Sequence, residues 1–138
     1  MRFEYAFLAD AATMMDNGTF DVIGGGFDVV KGQAFPATKG AMVFIARLWF
    51  EPQECGKEYK FSGGIFNREG HTIFPPFRGA FAPAAHARNS NRGTHFNVCI
   101  SMEMVQFPTP GDYSFRLSID EKPVGEVIME AVLEDQPT

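Results

Sequence analysis

Apolar and polar residues alternate along most of this chain, and that period of two predicts strands. It is cleanest in GDYSFRLSID (111–120). There Tyr113, Phe115, Leu117 and Ile119 fall on one face, and Ser114, Arg116, Ser118 and Asp120 on the other. In the next stretch Val127, Met129, Ala131 and Leu133 form an apolar face opposite Glu126 and Glu130, so the short DEKP link closes a C-terminal hairpin. Upstream, Val98, Ile100, Met102 and Met104 alternate with polar residues until PTPG (108–111) breaks the chain. Tyr59, Phe61, Gly63 and Ile65 mark another strand. AMVFIARLWFE (41–51) is apolar on both faces. Its β-branched and aromatic content, between Gly40 and Pro52, predicts a strand covered on both sides. At the start, Phe3, Tyr5 and Phe7 share a face, and AATMM (11–15) has room for one helical turn. Asp16-Asn17-Gly18 signals a hairpin with positive φ at both central positions, and Phe20 and Val22 continue on the return strand.

Two stretches interrupt the pattern. Gly24-Gly25-Gly26 follows a strand-like run, but GxxxxGK[ST] and GxGxxG spacings are absent and no helix follows. The expectation is a bend where the chain crosses from one sheet to the other. The other stretch is Pro83–His95, rich in His, Arg, Asn and Ser, with no apolar face. It reads as a long loop, and loops of that length are uncommon unless functional or disordered. The pattern as a whole predicts one all-β domain over 1–138. We expect an antiparallel β-sandwich of about eight strands, immunoglobulin-like or jelly-roll-like, with little helix.

Composition narrows the function classes. The balance of 12 Lys+Arg against 17 Asp+Glu gives a net charge of −5, which argues against nucleic acid as a partner. The longest apolar run, Ala41–Ala46, is far short of the roughly 18 residues a membrane span needs, so no membrane partner is expected. Glu4 and Asp10 interrupt any signal-peptide pattern, and the expected location is the cytoplasm, with Cys55 and Cys99 reduced. The 15 phenylalanines imply an aromatic core, or a core plus an apolar groove.

The strings FEYAFLADAAT, NGTFDVIGGGFD and FPTPGDYSFRLSIDEKPVGEV resemble a family of short bacterial proteins known only as a domain of unknown function. The resemblance covers most of the chain, more weakly over 60–95. It implies a compact β-fold and carries no activity or site residues with it.

No GxSxG elbow, no zinc-type Cys/His spacing and no DxDxDG calcium loop is present, so no catalytic residue, metal or cofactor is assigned. Two features remain. Val43, Ile45, Arg47 and Trp49 form a mixed apolar and cationic stripe, suited to a groove or an interface. Arg47 there either snorkels on a partly wet face or pairs with an acid such as Asp10 or Asp28. The 83–95 loop offers His86, Arg88, Arg92 and His95, which suit an anionic small ligand or an acidic protein surface. The leading expectation is a non-enzymatic binding module using these residues and assembling as a homodimer. The alternative is a small enzyme or metal-dependent ligand-binding protein using His71, His86 and His95.

Overall fold

A computed structural model describes residues 1–134 of the 138-residue chain. The described residues form ten strands and one 3₁₀ turn, Pro52–Glu54. The strands are β1 (Arg2–Ala9), β2 (Ala11–Met14), β3 (Phe20–Ile23), β4 (Val29–Gly32), β5 (Ala37–Phe50), β6 (Tyr59–Asn67), β7 (Phe77–Phe81), β8 (Thr94–Phe107), β9 (Gly111–Ile119) and β10 (Lys122–Leu133). A three-stranded sheet, β1-β5-β8, packs on a five-stranded sheet, β4-β10-β9-β6-β7, and β2-β3 make a separate two-stranded ribbon. The chain is a β-sandwich, as the alternation predicts. One ladder departs from the antiparallel expectation: β4 runs parallel to β10.

The sandwich core gathers the alternating faces. Phe44 and Phe115, both fully buried, stack across the two sheets at 4.1 Å between ring centres. Tyr113, Leu117, Ile119 and Met129 are buried as predicted, but Leu133 at the strand end is exposed. The phenylalanines also close one end of the sandwich. Phe81 stacks on Phe96 at 4.4 Å and lies within 6.2 Å of Phe50, Tyr59 and Phe61.

β5 is covered on both sides. Met42, Phe44, Ala46, Leu48 and Phe50 face the main core. Val43 and Ile45 lie under the β2-β3 ribbon, in a small cluster with Phe7, Ala9, Ala12, Phe20, Val22 and Cys99. That ribbon corrects the helical turn expected at 11–15. Ala12 turns into this cluster and Thr13 away, so the segment pairs with β3 in register Ala12↔Val22. Its turn is longer than a two-residue link. Gly18 alone takes positive φ (83°), and Asn17 Oδ1 accepts hydrogen bonds from Thr19 N (3.1 Å) and Thr19 Oγ1 (2.6 Å).

The triple glycine is the expected bend. β3 belongs to the ribbon and β4 to the five-stranded sheet, and Gly24 (φ 64°) and Gly26 (φ 87°) turn the chain between them. A Cβ on Gly24 would stand 2.2 Å from Asp10 Oδ2, so a side chain there would have to displace the Asp10 carboxylate as well as adopt a left-handed backbone. Because β4 reaches β10 by this crossing and not by a hairpin, parallel pairing is open to it.

Two irregularities flip the faces that strict alternation assigns. Phe3 pairs with Leu48 and Tyr5 with Arg47, so Glu4 is an extra residue in a β-bulge. Phe3 therefore packs on the main core while Phe7 joins the ribbon cluster. On β8, Met104 has φ 55° and is 65% exposed. Val98, Ile100 and Met102 are buried before it, and Val105 and Phe107 after it, so the inward face changes parity there. The flanking pairs place Met104 opposite Gly40, where β5 switches in step, from Ala37 to Met42.

The C-terminal hairpin closes through Asp120 and Glu121, both left-handed (φ 49° and 67°), with Ile119 paired to Lys122. Asp120 Oδ1 accepts from Lys60 N at 2.9 Å, which ties the turn to β6. Glu121 has no such side-chain bond to offset its conformation among the described residues. Glu121→Asn should raise stability by roughly 0.5–1 kcal/mol, read from the urea midpoint.

Candidate functional site

Three cross-strand rows line the outer face of the β1-β5-β8 sheet. Phe7, Ile45 and Cys99 form the first and are roofed by the ribbon. Tyr5, Arg47 and Asn97 form the second, and Arg2, Trp49 and His95 the third. The ribbon stops short of these two rows. Its turn (Asn17–Phe20) makes one wall beside them, and the β7–β8 loop, through His86, Arg92 and Gly93, makes another. The space between holds about 590 Å³. Arg47, Trp49, His86, Arg92 and His95 all line it. The stripe and the loop, expected as separate features, are thus two sides of one pocket. The stripe itself is divided, since Val43 and Ile45 are buried under the ribbon.

Arg88 is the exception among the candidate residues. It is exposed and does not line the pocket. The loop also ends earlier than expected, because β8 begins at Thr94 and His95 is a strand residue. It is not an untethered connector. Pro83 is buried and its carbonyl accepts from Gly56 N at 2.8 Å. His86 Nδ1 accepts from the backbone N–H of Arg88 and of Asn89, each at 3.2 Å. With Nδ1 acting as acceptor, the proton of the neutral ring sits on Nε2, as a donor. Asn89 Oδ1 accepts from Asn91 N at 3.0 Å.

The bulge at Glu4 builds the far side of the site. It aims the carboxylate into a group of basic side chains: His95 Nε2 at 3.1 Å, Arg2 Nη2 at 3.3 Å and Arg47 Nε at 3.6 Å. Glu4, and neither Asp10 nor Asp28, is therefore the acid beside Arg47; Asp10 bonds Lys39 Nζ at 2.7 Å instead. Partial desolvation raises the Glu4 pKa, but the hydrogen bonds from His95 and Arg2 and the charges of His95 and Arg47 together outweigh it. The carboxyl ends below its ordinary value. A lowered value in the fold means this cluster stabilises above the ordinary glutamate range, and the contribution is lost as pH falls through the lowered value. The Arg47 Nε and Asn97 Oδ1 atoms are buried with no hydrogen-bond partner among the described residues. Asn97 Nδ2 donates to Gly18 O at 2.7 Å and so pins the ribbon's turn to β8.

Trp49 is held on several sides. Its Nε1 donates to Glu51 Oε1 at 2.9 Å, His95 meets it edge-on at 4.8 Å, and the Arg2 guanidinium lies 5.7 Å from its ring centre. Gly93 passes so close that a Cβ there would be 2.2 Å from Trp49 Cζ2.

The sequence matches the model of a family of unknown function, DUF6941, over residues 4–131. The chain belongs to that family. No curated protein matches it. Membership in DUF6941 fixes no chemistry, so the site is read from its own geometry.

That geometry separates the three histidines. The loop bearing His86 leaves β7 beside Phe81, which pairs with Tyr59 at the start of β6. His71 is held by Asn67 at the other end of that strand, with His71 N donating to Asn67 Oδ1 at 2.8 Å. The eight-residue span between them is roughly 25 Å. Among the described residues no group of three His, Cys, Asp or Glu is arranged to hold a metal, so His71, His86 and His95 are not gathered into one metal site. Cys55 and Cys99 are free thiols, and burial pushes the Cys99 pKa up. Among the described residues no helix is long and apolar enough to cross a membrane.

The pattern of residues alone does not reveal Glu4, Tyr5, Asn97 or the turn 17–20 as parts of this site. Asn97 carried one weak signal, a polar amide on a β-rich run. The others join only through tertiary pairing.

Proposed function

We propose that this DUF6941 chain is a non-enzymatic binding module whose pocket takes a small organic anion. One observation carries the reading. The pocket lining holds two guanidiniums, Arg47 and Arg92, and two imidazoles, His86 and His95, in a chain of net charge −5, while the adjoining carboxylate, Glu4, is engaged with Arg47 and His95 and leaves Arg92 and His86 to a ligand. Among the described residues Arg92 is not paired with any acid. Guanidiniums suit carboxylate or phosphate oxygens through charge-assisted bonds. The aromatic walls, Tyr5, Phe20 and Trp49, suit an apolar body attached to that head.

Trp49 is the only tryptophan, so its fluorescence reports directly on occupancy. The test is titration with a panel of aryl and alkyl phosphates, sulfates and carboxylates. At least one class should bind, and more weakly at high salt. Arg92→Ala should weaken it by about 10- to 100-fold, the loss of one charge-assisted contact. Arg88→Ala, outside the pocket, should leave it unchanged. Failure of every class to bind, or equal losses in the two variants, would overturn the reading.

A further inference from the structure

The two principal sheets have four edges, and three of them carry devices that block pairing with another chain. β4 is four residues long and holds Lys31. β7 is five residues long, holds Arg78 and follows Pro75-Pro76. β1 is bulged at Glu4. The fourth edge, β8, runs for 14 residues with no Lys, Arg or Pro, and Glu103 is its one acid. None of the backbone hydrogen bonds outside the strand ladders of the described residues involves it. A long edge with a single charge is a template for another strand.

We propose that β8 pairs antiparallel with β8 of a second copy, joining two three-stranded sheets into one of six. A two-fold axis perpendicular to the sheet keeps inward residues opposite inward residues, so paired residue numbers have an even sum. The left-handed kink at Met104 limits the straight part of the edge to residues 94–103. Centring the axis on Cys99 pairs nearly all of that segment with its copy. In that register Glu103 faces His95 of the partner, and Asn97 faces Ser101. Moving the centre to Val98 puts Glu103 opposite Gly93, where no side chain meets it. The register centred on Cys99 is therefore the one we assign. It places the half-buried Cys99 thiols of the two copies next to each other.

Sedimentation at high micromolar concentration and cross-linking of a Cys55→Ser background with a short bismaleimide test the assignment. The expected result is a dimer that cross-links through Cys99. Glu103 is exposed and in no ion pair among the described residues, so Glu103→Lys should leave the melting curve unchanged at concentrations low enough for the protein to be monomeric. The substitution should weaken the dimer about tenfold, because a carboxylate acceptor opposite the partner's His95 is replaced, twice by symmetry, by a cation that offers the imidazole no acceptor. A monomer under these conditions overturns the proposal, and so does a dimer that does not cross-link through Cys99.

Discussion

Gly93→Ala is expected to destabilise the protein by about 3 kcal/mol or more, at the upper end of overpacking effects. The added methyl would lie 2.2 Å from Trp49 Cζ2 and 2.6 Å from Phe50 O. The indole cannot simply swing aside, because Glu51, His95 and Arg2 hold it. The Phe50 carbonyl belongs to β5 beside a fully buried ring. Something rigid must therefore move. Urea denaturation followed by Trp49 fluorescence reads both consequences, a lower midpoint and a folded baseline shifted because the indole has changed its surroundings. A variant with unchanged midpoint and spectrum would mean that the β7–β8 loop does not lie against Trp49.

Phe44→Ala should cost roughly 3–5 kcal/mol, the range for truncating a buried phenylalanine. Phe44 is fully buried and stacks on Phe115, so the change also removes a ring contact between the two principal sheets. Because β5 lies between β1 and β8, the loss should appear as a lower midpoint for the whole domain and not as local fraying. Phe44→Leu, which keeps most of the volume, should recover much of the loss in the same denaturation curve.

The strands most legible in the sequence are those whose pleat runs undisturbed. Tyr113, Phe115, Leu117 and Ile119 alternate without a break, and all four are buried. β5 was legible for another reason: being apolar on both faces, it announced that something would cover its second side. Alternation failed where the backbone changes hand or gains a residue. Nothing about Met104 in the sequence marks its left-handed kink, and its place opposite Gly40 is known only from the ladder. Glu4 reads as the polar member of an alternating pair until its neighbours are found paired to consecutive residues, Leu48 and Arg47. At 11–15, Ala-Ala-Thr-Met-Met is too short and too weakly patterned for any local rule to separate a helical turn from a strand. The site was half legible. Unusual residue types drew attention to Arg47, Trp49, His86, Arg92 and His95, but only the β2-β3 ribbon makes them one place. Arg88 is near the others only in sequence and does not line the pocket.

The ribbon has a consequence for timing. Two four-residue strands hold only a small apolar cluster of their own beneath them, and Asn97 fastens their turn with one amide bond. Such a unit opens at far lower free energy than the sandwich it rests on. Its amides should trade hydrogen for deuterium well before those of β5. A ligand wedged between the turn and the loop would then enter and leave at the ribbon's breathing rate, and residence time would be set by a wall whose sequence can drift without disturbing the sandwich core.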